Sequence, residues 1–192
     1  GGISNFTYLD GKDEFYGSDC GPGNALMDIY CQNFLNRPFD KNGEYAKNGE
    51  VHIPSLNKML AHPFFKRRHP KSTGKEIFNI KFIPKKLLKK SPNDVLATLT
   101  ELTAVCIKKS IKTLKKIPDK VIICGGGQKN KFLVSSIEEH IEMALTSSSE
   151  YGFDPQAIEA MAFGWMARQR VCRNPLLVKK NKGLLGTLTK FK

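Results

Sequence analysis

The sequence predicts an α/β domain in which a mixed sheet is flanked by helices, and three observations carry that prediction. Two strand-like runs open the chain on either side of a turn; a long helix announced by a capping-box pattern occupies the middle; and a β-branched run, "KVIIC", later leads into three glycines and a helix. Strands that first form a hairpin and later alternate with helices pack as a sheet with helices on its faces. At 192 residues a domain buries roughly 70% of its unfolded surface, enough for one self-contained core.

"ISNFTYL" (3–9) and "EFYGSD" (14–19), separated by the turn-like "DGKD", read as the hairpin. "NALMDIYCQNFL" (24–35) places Leu26, Ile29, Tyr30 and Phe34 near a 3.6-residue period and predicts a helix that stops before Arg37-Pro38. Residues 38–93 read as a loop-rich helical insertion with no strong strand, its best helix lying in "IPSLNKMLAHPFF". Ser91-Pro92-Asn93-Asp94 gives a capping-box pattern with proline near the helix start, and predicts a central helix running to Ile117, before Pro118.

"KVIIC" is β-branched in the manner of a buried strand, and Gly125 to Gly127 then precede a helix from Asn130 to His140. "EMALTS" predicts a short strand and "SSEYGF" a polar loop, after which Asp154-Pro155 is expected to cap a last helix, "QAIEAMAFGWMARQRV". Residues 174–192 form a basic tail in which "LLGTLTKF" suggests a final strand.

Lys and Arg number 31 against 18 acids, a net charge of +13, a balance that raises nucleic acid, membrane or phosphate ligands. The excess is local. Residues 66–90 hold ten of the cations with Glu76 as their only acid, and the chain after Glu159 holds eight more with none. Lysines set between apolar residues, as in "PKKLLKK", read as a solvated helix face. Phe64, Phe65, Phe78 and Phe82 belong to no nucleic-acid motif and are expected to face the core, so no nucleic-acid partner is expected.

Five cysteines, no two closer than eleven residues, exclude a CxxC pair and argue against structural disulfides. With no signal-peptide pattern and no 18-residue apolar span, the reading is a cytoplasmic protein without a membrane partner. Because Ile3 to Leu9 is already a strand and no methionine precedes Gly1, the chain is read as a piece of a longer protein.

Three features could carry chemistry. In "SDCGPGNALM" an acid ends the first hairpin and a Gly-Pro-Gly turn follows, which puts the Asp19 carboxylate at the mouth of the sheet and frees backbone N–H groups to face a phosphate. A carboxylate beside phosphate suits a general base or a Mg²⁺-linked role; the structural alternative is that Asp19 caps the next helix or braces the turn. In "VIICGGGQKN" three glycines end a strand and let a ligand approach the backbone, although the loop is neither GxGxxG nor a P-loop and serves equally as a plain turn. Glu159 is the one charged side chain in "AIEAMAFGWMA", a helix apolar almost all round and therefore expected to be buried, so it must reach a partner, a ligand or solvent. Cys20, beside Asp19, has no histidine near it in sequence and is read as a packing residue.

In order along the chain, "GGISNFTYL", "SDCGPGNALMD", "RPFDKNGEYAKNGEV", "PKSTGKEIF", "DVLATLTELTA", "VIICGGGQKN" and "DPQAIEAMAFGWMA" resemble the C-terminal half of the anhydro-N-acetylmuramic acid kinase family, to about Arg173. The resemblance implies a ribonuclease-H-like lobe of the actin-like ATPase superfamily, the C-terminal lobe of a two-lobed kinase whose N-terminal lobe is absent from residues 1–192. It implies ATP and Mg²⁺-dependent opening of 1,6-anhydro-N-acetylmuramic acid by water, with the liberated 6-oxygen taking the γ-phosphoryl group to give N-acetylmuramic acid 6-phosphate for cell-wall recycling.

By the same resemblance, Asp19 matches the catalytic base, Gly21 and Gly23 a phosphate loop, and Gly125, Gly126, Gly127 and Asn130 the adenosine side. Glu159 matches an acid that contacts the sugar, and no side chain is assigned as a metal ligand. Cys20 departs from the threonine common at that position, which removes a hydroxyl donor near the phosphates. The missing lobe is an expected partner, a homodimer is allowed, and the chain alone is expected to be inactive. The alternative is a degenerate, non-catalytic lobe serving as a nucleotide-binding or protein-interaction module.

Overall fold

The computed structural model describes residues 2–11, 15–178 and 181–183. The predicted hairpin is present: β1 (Ser4–Leu9) and β2 (Phe15–Gly21) pair antiparallel, with Asn5 opposite Asp19 and Thr7 opposite Gly17. The second strand does not end on Asp19 but continues to Gly21, because Ser4 pairs with Gly21 across a register shift and Ser4 Oγ donates to the Gly21 carbonyl at 3.2 Å. Helix α1 (Ala25–Phe34) follows, its first residue donating to the Gly2 carbonyl at 2.9 Å, so the turn, the helix start and the entry of β1 are tied together.

Residues 38–93 contain α2 (Ile53–Leu60), α3 (Pro63–Lys66), α4 (Lys85–Leu88) and three short 3-10 turns, without a strand. They are not a peripheral decoration: Leu56, Met59, Phe64, Phe78, Ile83 and Leu87 are buried and share one core with α1 and the long helix that comes next. Phe64, Phe65, Phe78 and Phe82 pack edge to face at centroid distances of 5.0 to 6.5 Å, facing the core as expected. Asp40, also buried, accepts from the Tyr45 and Ala46 N–H groups at 3.0 Å each and closes the loop that precedes α2.

The post of the structure is α5 (Pro92–Ile111), buried on most of its circumference from Val95 to Cys106. Ser91 caps it by accepting from the Asp94 N–H at 3.2 Å, but the Asp94 carboxylate accepts from Glu50 N–H at 2.9 Å, so half of the predicted capping box is spent on docking the 49–52 segment. Three buried threonines fix neighbours to this helix. Thr98 Oγ1 accepts from His52 N–H at 2.9 Å, Thr100 Oγ1 donates to Met27 Sδ at 3.2 Å, and Thr103 Oγ1 donates to the Gly23 carbonyl at 2.8 Å. The helix ends six residues before the expected Ile117, where i to i+3 bonds from Thr113 to Ser110 and from Leu114 to Ile111 tighten its last turn, a usual way to terminate a helix.

Strands β3 (Val121–Ile123) and β4 (Leu145–Ser147) pair parallel around α6 (Lys131–Ile141), the strand, glycine turn, helix and strand order that was anticipated. Helix α6 packs on α5, where His140 Nε2 lies 2.9 Å from Glu101 Oε1. The described strands form three two-stranded sheets, with β5 (Leu176–Val178) and β6 (Asn181–Gly183) as the third, so the class is mixed α/β with its strands divided into small pairs. The polar loop "SSEYGF" contains a 3-10 turn with a full capping box between Ser147 and Glu150. The strand expected in "LLGTLTKF" lies outside the described residues.

Helix α7 (Ile158–Val171) departs from expectation twice. Asp154 does not cap it; its carboxylate accepts from Gln156 N–H at 2.9 Å in a separate turn, and the helix begins four residues later. None of its residues is buried, with Phe163 68% and Trp165 52% exposed. An all-round apolar helix needs cover on every side, and the described residues do not supply it.

Asp28, in the first turn of α1, is half-buried, and desolvation lifts its carboxyl to about 6 against an opposing pull from Lys75. The folded form thus binds this proton more tightly than the unfolded chain, whose carboxyl titrates near 3.9. Stability is therefore full below pH ~4, falls as pH rises toward 6 and stays reduced above it. Allowing for solvent screening, Asp28→Asn is expected to gain roughly 1–2 kcal/mol at pH 7.5 and nothing at pH 4. Urea melts at the two pH values measure this; equal gains at both would contradict it.

Candidate active site

Asp19 lies on the open face of the hairpin beside Asn5, Thr7 and Gly17, and a cleft of about 430 Å³ opens there. Its other wall is a segment that local sequence patterns do not single out, Pro70, Lys71 and Ser72. This segment clasps β2. Asp19 N–H donates to the Lys71 carbonyl at 3.0 Å, Lys71 N–H donates to Ser18 Oγ at 2.9 Å, and Thr73 N–H donates to Asp19 Oδ2 at 2.7 Å. Ser18 Oγ also sits 2.7 Å from His69 Nδ1 and 3.2 Å from the Lys71 carbonyl; the single hydroxyl proton serves one of these, and the imidazole tautomer decides which. Burial and the nearby Lys71 charge hold the His69 pKa below its ordinary value, which favours the neutral ring in this contact.

The carboxylate is thus fixed by one oxygen, while Oδ1 has no hydrogen-bond partner among the described residues. Asp19 neither caps α1 nor braces the Gly-Pro-Gly turn. A half-buried carboxylate with one oxygen pinned by a backbone donor and the other free at a cleft is oriented to accept a proton from a bound molecule.

The Gly-Pro-Gly turn is buried directly behind it. A Cβ on Gly21 would stand 3.1 Å from Cys106 Cβ on α5, and one on Gly23, whose φ is +28°, would stand 2.8 Å from the Ser4 nitrogen. Gly23 is therefore demanded by its backbone contact and positive φ, whatever else it does, and Gly21 sits in a tight but softer side-chain contact. Cys20 is buried with its thiol pushed up to about 11 by desolvation, which leaves it protonated and unreactive, as its packing reading requires.

Structure brings the second glycine loop to the first. A Cβ on Gly127 would lie 3.4 Å from Asn24 Oδ1, at the start of α1, so the two loops meet through Asn24, a residue that no sequence pattern marked. Gly125 has φ +83° and donates its N–H to the Pro155 carbonyl at 2.8 Å, which ties this loop to the turn before α7. Asn130 caps α6, its Oδ1 accepting from Leu133 N–H at 3.1 Å. Gly126 differs from its neighbours. It is exposed, its φ is not positive and a Cβ there would meet nothing within 4 Å, so the described fold does not require glycine at this position. Glu159, in the first turn of α7, is exposed and makes no hydrogen bond or ion pair among the described residues; solvent, not a buried partner, receives it here.

The described residues hold no group of three His, Cys, Asp or Glu side chains able to cage a metal ion. No helix among them is long and apolar enough to cross a membrane.

Comparison with known proteins matches the chain to a family. Residues 1–188 match the family model described as anhydro-N-acetylmuramic acid kinase. The chain is 47% identical over its whole length to the anhydro-N-acetylmuramic acid kinase of gamma-proteobacterium EBAC31A08, of which it covers 54%. It is 38% identical over 95% of its length to that of Hydrogenovibrio crunogenus, covering 50%, and 38% identical over 98% to that of Burkholderia ambifaria, again covering 50%. The chain therefore spans about half the length of these curated relatives. Among solved structures, the activator of the 2-hydroxyisocaproyl-CoA dehydratase from Clostridium difficile with bound ADPNP superposes with a TM-score of 0.54 at 13% identity, over 93% of this chain and 62% of that one. That likeness carries the fold alone.

The two loop glycines separate packing from ligand approach. Gly125→Ala is expected to cost about 1 kcal/mol or more, because alanine resists a positive φ, whereas Gly126→Ala stays within about 0.5 kcal/mol of wild type. Urea denaturation of both variants measures this, and a Gly126→Ala loss equal to that of Gly125→Ala would contradict it.

Proposed function

The chain belongs to the anhydro-N-acetylmuramic acid kinase family, and from that premise we propose that it supplies the C-terminal lobe of an ATP-dependent kinase acting on 1,6-anhydro-N-acetylmuramic acid. The observation that carries the reading is the Asp19 carboxylate, pinned at Oδ2 by Thr73 N–H and free at Oδ1 beside an open cleft.

In this reading a water sits against Oδ1 and attacks the anomeric carbon. The water proton passes to Asp19, the bond from the anomeric carbon to O6 breaks, and O6 takes the γ-phosphoryl group of ATP as ADP departs. Asp19 then returns its proton to solvent, so the products are N-acetylmuramic acid 6-phosphate, ADP and a proton. A water that must lose a proton as it attacks gains about 10²- to 10⁴-fold from a positioned carboxylate.

Gly21 and Gly23 lie against the phosphates in this proposal, and Gly125 to Gly127 with Asn130 border the adenosine. The openness at Gly126 supports that assignment, since the fold itself has no need of glycine there. Glu159 takes the sugar, and its unpaired, exposed carboxylate is available for that contact. Magnesium demands six ligands and usually binds through one or two carboxylates plus substrate phosphates and water. With Asp19 the only acid among the described residues lining the cleft, the donor set fits an ion carried on the ATP phosphates, where it would neutralise phosphate charge.

Positioning two substrates needs both walls of the cleft. The exposed apolar residues of α7 support a missing cover, and we assign that cover to the N-terminal lobe, on the same or a separate polypeptide; the isolated chain then does not turn over.

Joined to an N-terminal lobe and assayed with ATP and anhydrosugar, Asp19→Asn is expected to lower kcat by about 10²- to 10⁴-fold while ADP binding is retained. Equal rates for variant and wild type would remove Asp19 from the chemistry.

A further inference from the structure

A second cleft, of about 390 Å³, opens between residues 65–71 and the C-terminal half of α5. Strand alternation sends the Asp19 side chain to one face of β2 and those of Tyr16 and Cys20, which line the second cleft, to the other, while Lys71 borders both clefts. Its rim carries Lys66, Arg67, Arg68 and Lys109, all exposed, and no acid lines it. None of these cations has an acidic partner among the described residues, whose ion pairs are Lys116 with Asp119 and His140 with Glu101.

Lys71 forms the floor and is only 7% exposed. Its Nζ donates to the Phe64 carbonyl at 3.3 Å and stands 4.4 Å from the centre of the Phe64 ring and 5.9 Å from that of Phe65. An ammonium has three donors, and one of them has a hydrogen-bond partner among the described residues, which leaves two to face the cleft. Ring faces and one carbonyl recover part of the desolvation cost, but a buried cation is held fully only by a counter-charge. Burial lowers the Lys71 pKa, the Cys106 and Cys20 thiols pull against it, and the Arg67 and Lys109 charges add to the lowering. A bound anion would relieve both the unused donors and the crowding of like charge.

We propose that this cleft, floored by Lys71 and rimmed by Lys66, Arg67, Arg68 and Lys109, binds the phosphate group of a small phosphorylated metabolite. Paired guanidinium groups beside an ammonium suit a dianion with several acceptor oxygens better than a single carboxylate. The volume fits a metabolite-sized ligand. The cleft is a recess and not a long basic stripe, and Phe64, Phe78 and Phe82 pack on one another in the core, so the arrangement suits a small ligand better than a polymer. The ligand site lies on the other face of the strand from the Asp19 side chain and shares only Lys71 with the first cleft.

Calorimetric titration of the intact chain in chloride buffer tests this, with inorganic phosphate in one arm and a hexose 6-phosphate in another. Saturable binding of one phosphate per chain is expected; tighter binding of the ester identifies a metabolite, and equal binding identifies free phosphate. Lys71→Met is expected to weaken binding about tenfold and the exposed pair Arg67→Gln/Arg68→Gln by a similar factor, each replacing charge-assisted hydrogen bonds. The rim pair keeps the test valid should the buried substitution disturb folding. Absence of saturable heat at millimolar phosphate, unchanged affinity in both variants, or salt-dependent DNA binding lost in the same variants would each overturn the proposal.

Discussion

Everything proposed for Asp19 depends on the clasp that residues 69–73 place on β2. An isolated hairpin is marginal in water, and a carboxylate on its open face would share its motion. Here the backbone of Lys71 takes the Asp19 N–H and gives its own N–H to Ser18, while Thr73 N–H fixes Oδ2. A neutral hydrogen bond of this kind contributes a net of about 0.5–1.5 kcal/mol, and one to a carboxylate about 1.5–3 kcal/mol. Together they hold one carboxylate oxygen still and leave the other for a ligand.

The clasp in turn requires α5. The chain that delivers residues 69–73 is anchored by Phe64 on one side and Phe78 on the other, both buried against the common core. Burying a side chain of that size contributes about 1.5–3 kcal/mol, so the loop is held at both ends. The same helix holds the Gly-Pro-Gly turn through Thr103 and Gly21 through Cys106, and it carries α6, whose cap residue Asn130 follows the second glycine loop. Two nucleotide-binding candidates distant in sequence, one proposed for the phosphates and one for the adenosine, are therefore held by one buried post. Lys71 links the two clefts, since its backbone braces Asp19 and its side chain floors the basic cleft behind the strand.

What local pattern encodes was legible in the sequence. Strand-like runs about a turn gave the hairpin, a 3.6-residue period gave α1, a capping pattern with proline gave the start of α5, and the β-branched run before Gly125 gave β3 and the helix after it. The clasp was not legible, because it joins residues some fifty positions apart through backbone groups, and "RRHPKST" has no periodicity to mark it. The end of α5 was overestimated because its lysine-rich continuation keeps helical composition after packing stops. For α7 the sequence predicts burial and the structure shows exposure; both are correct physically, since an apolar helix states a need for cover that these residues do not meet. Asn24 could have been found only by knowing that the two glycine loops are neighbours.

The central claim is that this chain holds one wall of a cleft, with the base in place and the opposing wall supplied by the N-terminal lobe. The most direct measurement is anhydrosugar-dependent ADP release by the chain alone and as the separately produced N-terminal lobe is titrated in. The account predicts no release from either part and a saturable rise to full activity at equal amounts. Saturable, anhydrosugar-dependent ADP release by the chain alone would contradict it.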